Sequence, residues 1–452
     1  MTVVSILLGL LGLGIVVFFH ELGHFAMARA VGVEVEEFSL GWGPKLLAFK
    51  RGATTYRLSV LPIGGYCRMR GEDGYRKAIE QNLVEFPREP GSYFAAPPFK
   101  RMLIALGGPV LNVVFAFVVF AAIAGAGYTV ETWGNRVVAA SEFEGREFPA
   151  DAAGIRTGDA IVAIDGKPVA SFADIQETVA LSADRPLRVT LERDGSRVET
   201  TVTPVLDRGS GAGLLGIYSW IDPVVGAADP DGAARLAGIE PGDRIVAVDG
   251  APLRFTAELH RRLSADQPRT VTIGFVRDGR AMEAVLVPSY GSDGVDLGIS
   301  WKTVRFEVKA SGLLDALRMG AGETVGTVSA TLKGLASLFM GVDLLKAVSG
   351  PARITWIVGQ VAADGFSGGV ASGMSASFNF LAVLSIGLFA MNLLPIPLLD
   401  GGWMLLFLVE AIRRKPVKVR TVFKYQTIGI IVVAALFLLT TVGDILFFSG
   451  RR

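Results

Sequence analysis

The chain has 452 residues, 51% of them apolar and 55 of them glycine, yet 19% are charged. That is too apolar for an ordinary soluble enzyme and too charged for a chain lying wholly in lipid, so a membrane protein with a sizeable aqueous part is expected. A formal net charge of +1 excludes the strongly basic footprint of a nucleic-acid binder, and a single cysteine, Cys67, excludes an internal disulfide.

Four segments are apolar enough to cross a bilayer, which takes about 20 residues: roughly 3 to 31, 102 to 128, 376 to 395 and 427 to 448. The first lacks a basic leader and a small-residue cleavage site, so it reads as a retained helix and not as a signal peptide. The loop after it carries Lys45, Lys50, Arg51, Arg57, Arg68, Arg70, Arg76, Lys77, Arg88, Lys100 and Arg101, and the last connection carries Arg413, Arg414, Lys415, Lys418, Arg420 and Lys424. By the positive-inside rule both face the cytoplasm, which places residues 129 to 375 and both termini on the other side.

Within the first span, "HELGH" sets His20 and His24 one helical turn apart on the same face, able to offer two imidazole nitrogens to one tetrahedral ion, with Glu21 beside them to take a proton from water. The bland alternative is a set of polar residues at a helix end. It is weakened by the cost of a carboxylate in a span, about 2.5 to 3.5 kcal/mol on insertion scales.

The long central segment holds an internal repeat. "AGIRTGDAIVAIDGKPV" from Ala153 and "AGIEPGDRIVAVDGAPL" from Ala237 lie 84 residues apart, and "RDG" recurs at Arg193 and Arg277 with the same offset. Alternating runs closed by Asp-Gly turns predict strands. The pattern resembles the PDZ domain of bacterial proteases, implying tandem modules over 129–219 and 220–306; a duplicated β-rich spacer without a ligand is the alternative. Residues 307–375 follow as a helical, amphipathic, extracytoplasmic segment. Asp343, Lys346 and Arg353 interrupt its apolar spacing, so surface-lying helices are expected there and not a fifth span.

Two histidines leave a zinc ion short of ligands, and the third histidine, His260, falls in the second repeat. A carboxylate must complete the set. Asp400, in "NLLPIPLLDGG", follows a span broken by Pro395 and Pro397 and precedes Gly401 and Gly402, which allow close backbone approach. A helix cap is its alternative role. Asp444, in the fourth span, is a competing acid without a comparable bend.

Taken together, "HELGH", "GGPVLNVVFA" at Gly107, the duplicated repeat and "NLLPIPLLDGG" resemble the site-2 protease family of intramembrane zinc metalloproteases, in the branch of the regulator of sigma-E protease (RseP-like). The likeness covers nearly the whole chain. It implies a multi-pass α-helical membrane protein with 1–128 and 376–452 as its membrane parts, zinc held by His20, His24 and Asp400, and Glu21 as general base. It also implies a membrane-reentrant β-hairpin in the first loop, where Gly41, Gly43, Gly64 and Gly65 flank strand-like runs and an exposed strand edge would hold substrate backbone; a soluble hairpin is the alternative. Asn392 would hold substrate as well, or else bond between helices, and Asn112 is read as a packing residue of the second span. "VSGP" at Val348 to Pro351 matches the family's "LSGP" but carries no assigned chemistry.

The function expected is hydrolysis of peptide bonds inside single-span membrane proteins, by resemblance a trimmed anti-sigma factor or remnant signal peptides, in the stress responses of a bacterial inner membrane. The implied partners are that transmembrane substrate and membrane lipid, with no nucleic acid and a monomeric enzyme. The PDZ-like pair is expected to act as an extracytoplasmic size filter. The rival readings are a non-proteolytic PDZ scaffold and a membrane zinc protease of soluble or misfolded proteins.

Overall fold

The computed structural model describes residues 3–72, 78–81, 83–209, 211–291, 294–338, 349–367 and 369–449. Arg76, Lys77, Asp343, Lys346 and Val348 of the sequence reading lie outside them. The chain divides into two compact units, Met1–Tyr128 with Val308–Arg452, and the insertion Thr129–Glu307.

The first unit is helical apart from one hairpin. Among the described residues its longer helices are α1 (Val3–Val31), α2 (Pro98–Ala126), α3 (Leu313–Ser337), α4 (Pro351–Ser367), α5 (Val370–Asn392), α6 (Asp400–Arg413) and α7 (Val419–Ser449). Among the described residues four helices are long and apolar enough to cross a membrane, falling within α1, α2, α5 and α7. Val16, Phe115, Phe120, Val358 and Leu381 make a buried core shared by α1, α2, α4 and α5. The segment expected to lie on the surface therefore contributes to the bundle: α4 packs on α1 and α5, and α3 packs along α2. Val358 and Ala362 of α4 turn inward to make this packing.

Asp444 finds a structural role. Its carboxylate accepts from the backbone N–H groups of Gly350 at 2.9 Å, Ala352 at 3.0 Å and Arg353 at 3.1 Å, satisfying donors at the start of α4. An acid in an apolar helix is thus consumed in capping a neighbour and tying α7 to it. At the other side of the bundle Arg101, at the start of α2, donates to Glu410 of α6 at 2.6 Å, both residues being buried, and its guanidinium lies over the Phe407 ring. This pair locks α6 against α2.

Strands β1 (Val35–Arg51) and β2 (Thr54–Met69) fold on one another as a sheet wider than a simple hairpin. Lys45–Arg51 pairs with Thr54–Ser59; beyond it, Val35–Leu40 is paired on one side with Thr55–Leu58 and on the other with Gly65–Met69. The doubling is possible because both strands bend, at Gly41 (φ +84°) and Gly64 (φ +80°), where a Cβ would strike the Leu61 carbonyl and the Trp42 ring respectively. The Gly65–Met69 segment is left as an edge.

The insertion contains two β modules with separate buried cores, one including Ile161, Ile164, Leu187, Val189 and Leu191, the other Ile245, Val248, Val271, Ile273 and Phe275. The first has four strands in the order Lys167–Pro168, Ala160–Ile164, Leu187–Arg193, Ser196–Val202; the second repeats the order with Ala251–Pro252, Arg244–Val248, Val271–Arg277 and Arg280–Leu286. The predicted Asp-Gly turns are left-handed at both residues, as at Asp194-Gly195 and Asp278-Gly279. A buried fork recurs too. Arg193 donates to both oxygens of Asp159 at 2.7 Å and to the Gly154 carbonyl at 2.6 Å, and Arg277 does the same to Asp243 and Gly238. The repeated "AGI" and "GD" are held by the repeated "RDG".

This fork makes a prediction. The Arg277 guanidinium holds the Asp243 carboxyl below the usual carboxylate range, against the opposing effect of burial. A folded pKa lower than the unfolded one adds stability above about pH 4, lost as pH falls through the folded value. Arg277→Ala leaves the buried Asp243 carboxylate with the Glu240 N–H at 2.8 Å but no counter-charge, and should destabilise the second module by about 1–3 kcal/mol at pH 7. The gap from wild type should narrow below about pH 4. Amide hydrogen exchange of strand Val271–Arg277 in the full chain measures both; a gap independent of pH would contradict the assignment.

Candidate metal centre

Local sequence determines how α1 presents its polar residues. On a helix, residues four apart share a face, and the His20 and His24 Nε2 atoms stand 3.2 Å apart. Asp400 is the first residue of α6, and its N-cap is Leu399, which makes no side-chain cap. Its carboxylate is turned instead to the histidines, with Oδ2 3.2 Å from His20 Nε2 and Oδ1 3.5 Å from His24 Nε2. The capping alternative is thus not the use the fold makes of it. Pro395 and Pro397 deny the preceding stretch helical donors. Gly402 fits tightly under the Ile396 and Pro397 backbone, while Gly429 of α7 presses on Pro397 from outside.

These three side chains each offer one ligand atom, all within 4.8 Å of one another. A tetrahedral zinc with bonds of about 2.0–2.2 Å separates its ligand atoms by about 3.3–3.6 Å. The two Nε2 atoms at 3.2 Å, and the nearer Asp400 oxygen of each histidine, Oδ2 at 3.2 Å from His20 and Oδ1 at 3.5 Å from His24, lie close to that figure. The hydrogen-bond pattern agrees. His24 Nδ1 lies 2.8 Å from the Ile104 carbonyl, so it carries the proton and leaves a lone pair at Nε2. Asp400 Oδ2 is buried without a hydrogen-bond partner. Lone pairs facing one another in a buried place are costly without positive charge between them, and these three residues can hold a metal ion there.

Small residues admit the rings. A Cβ at Gly108 would collide with both imidazoles, and Gly23 and Gly107 bring the backbones of α1 and α2 into direct contact. Pro109, next to Gly108, also withholds a donor from the Ala105 carbonyl on the wall of the site.

Around the centre is a cavity of about 480 Å³ lined by His20, Glu21, His24, Asn392 and Asp400 together with parts of the hairpin. Glu21 is outside the ligand cluster and faces this space. Gly65 sits against it: a Cβ there would meet the Glu21 Cγ and the Ser39 carbonyl. Gly41, Gly43 and Gly64 are placed in the hairpin away from the cavity wall. Asn392 Nδ2 is 3.4 Å from His20 Nε2. His260 is exposed on the helix Thr256–Asp266 of the second module. The remaining wall includes Tyr66, Cys67, Glu72, Tyr93, Leu398 and Trp403, none of which was given a role from the sequence. Leu398 alone had a local signal, its place in the proline-broken stretch, and it takes φ +81°. Burial, then the Glu21 carboxylate, push the Cys67 thiol up, so it stays protonated near neutral pH.

A proline-broken segment and a histidine pair on an apolar helix, closing on one buried cation position, define a membrane metallopeptidase. The chain belongs to Peptidase family M50, the site-2 protease family, which it matches over residues 8–436. A Treponema pallidum (strain Nichols) protein bearing a zinc-metalloprotease name is 39% identical over 98% of this chain and 99% of its own length. The zinc metalloprotease RasP of Geobacillus kaustophilus (strain HTA426) is 28% identical over 98% of each chain. A solved PDZ domain from Listeria monocytogenes is 18% identical, with a TM-score of 0.17, and covers 19% of this chain and 90% of its own. The chain is a zinc metallopeptidase of the membrane, and the reading as an inactive scaffold falls away.

The tight fit at Gly108 is testable. Gly108→Ala should sharply reduce the zinc content of the purified protein, measured by atomic absorption. Gly125→Ala, on the same helix, should not, because a Cβ there meets only Ala316 at an ordinary 3.6 Å. Equal zinc in both variants would contradict the role given to Gly108.

Proposed function

We propose that His20, His24 and Asp400 hold the catalytic zinc, that Glu21 is the general base, and that the bond cleaved lies within the transmembrane segment of a single-span membrane protein. The observation that carries this reading is the position of the donor set. Two of its members project from a helix apolar and long enough to span a membrane, and the third follows another such helix.

Held by His20, His24 and Asp400, zinc would supply a Lewis acid for the scissile carbonyl and would make a water molecule more acidic. Glu21 takes the proton from that water on its carboxylate and passes it to the departing amide nitrogen. The substrate must first lose helical hydrogen bonds, since a helix in lipid keeps its peptide groups paired internally. The Gly65–Met69 edge runs beside Glu21 and offers strand pairing to the freed backbone. Absence of a side chain at Gly65 keeps that approach open.

Membrane association of the hairpin is supported by its outer half, where Trp42 is 56%, Leu47 67% and Phe49 64% exposed, with Lys45, Lys50 and Arg51 beside them. Apolar side chains would enter lipid while the basic groups reach the headgroups. The same basic residues support a cytoplasmic placement of this loop, and an inner membrane with the insertion on the opposite side. The insertion is read as two PDZ-like modules that restrict which substrates are cleaved, a trimmed anti-sigma-like protein or remnant signal peptide being the class the resemblance favours.

Two experiments test this. With a model single-span substrate in detergent, Glu21→Gln should abolish cleavage with zinc content unchanged, whereas His20→Ala and Asp400→Ala should lose both. Product ends outside the membrane segment would favour a protease of soluble chains. For the insertion, replacing residues 129–307 by a flexible linker should raise cleavage of a substrate with a large folded ectodomain and leave a short-tailed one unchanged. A selective fall for the short-tailed substrate would instead indicate recruitment by the modules.

A further inference from the structure

Asn112 has no exposed surface and sits in the middle of α2 among apolar neighbours. An amide in such a place must be justified by its partners. Its backbone carbonyl accepts from the Ser385 hydroxyl of α5 at 3.1 Å, so the backbone already supplies the bond between helices that packing would ask for. The side chain turns elsewhere. Its terminal amide stands 3.1 Å from His20 Nδ1, on the side of the ring away from the cation position, and its Oδ1 is buried without a partner.

We propose that Asn112 is a positioning residue of the metal centre, its amide oxygen accepting the Nδ1–H of His20 and so turning Nε2, with its lone pair, toward the ion. This rests on the ligand assignment above. His20 faces His24 and Asp400 through Nε2, and a ring that gives that nitrogen to a metal carries its proton on Nδ1. A proton on Nδ1 needs an acceptor. The two ends of an amide have nearly the same shape, so a half-turn about the last side-chain bond puts Oδ1 at the 3.1 Å position now drawn for Nδ2. That half-turn gives the buried oxygen the partner it lacks. His24 has its own acceptor in the Ile104 carbonyl at 2.8 Å. The two ligand imidazoles are therefore oriented by two groups of one helix, a backbone carbonyl and a side-chain amide. Asn392 cannot replace Asn112, because its Nδ2 faces the ligand nitrogen itself at 3.4 Å.

The test is zinc affinity of the full-length protein in detergent, measured by competition with a chromogenic chelator. Asn112→Ala should weaken binding by about 10–100-fold, the usual effect of losing such a partner. Asn112→Leu, which refills the volume, should be as weak, whereas Asn112→Asp, which keeps an acceptor oxygen, should stay near wild type. Ser385→Ala removes the bond to the Asn112 backbone and should leave affinity unchanged. Should Asn112→Ala fail to fold, the comparison of Leu with Asp still decides. Leu binding zinc as well as Asp does would make Asn112 a packing residue and overturn the inference. His20→Ala separates the two levels: loss of zinc there with full affinity in Asn112→Leu leaves the ligand assignment standing, whereas full affinity in both overturns the assignment itself.

Discussion

Three electron-rich atoms, two imidazole nitrogens and a carboxylate oxygen, meet in a buried place between helices far apart in the chain. Without positive charge among them the arrangement would cost several kcal/mol, by the ordinary penalty for burying unpaired polar groups. Contacts elsewhere in the bundle bring them together. The Arg101–Glu410 pair fixes α6, which begins with Asp400, against α2. The close contact of Gly23 with Gly107 fixes α1 against the same helix. Both sides of the cluster are thus referred to α2, which itself contributes none of its three side chains.

Burying ionic groups in an apolar bundle is tolerable only when each is answered locally. Asp444 is answered by three backbone donors of α4, Arg101 by Glu410 and the Phe407 ring, and His24 by the Ile104 carbonyl. Each of these contacts ties two elements together as well as satisfying a charge or a donor. Polar groups in the bundle thus serve as specific joints, since apolar surfaces in lipid gain little by choosing one partner over another.

The sheet beside the centre follows a different constraint. Backbone groups left without partners are costly, and the doubled hairpin brings one strand edge next to Glu21. Its buried polar residues are turned inward, Ser39 donating to the Gly41 carbonyl at 3.1 Å and Thr54 to Val35 at 2.8 Å, which leaves the Gly65–Met69 edge as the side facing the cavity. In the insertion, the same economy appears as a duplicated fork, with one arginine in each module holding the turn that the repeat pattern made visible.

How much of this was legible depended on the range of the rule involved. A shared helical face for His20 and His24, left-handed Asp-Gly turns, a twofold repeat and four apolar helices all follow from periods of two to four residues or from direct self-similarity, so the amino-acid sequence determined them. Asp400 was ambiguous, because an acid at a helix start is a cap by every local rule, and only the packing of α6 against α2 brought it to the histidines. Asn112 read as packing because its partner lies 92 positions away. A strand edge in the first loop was expected from the resemblance, but its place at Gly65–Met69 was not legible: alternation identifies a strand, whereas which of its two sides is taken depends on the bends at Gly41 and Gly64 that fold the hairpin on itself. Periodicity is a property of neighbours along the chain, whereas convergence of charge and the choice of a free edge are properties of elements that meet only after packing, and those the tertiary structure decided.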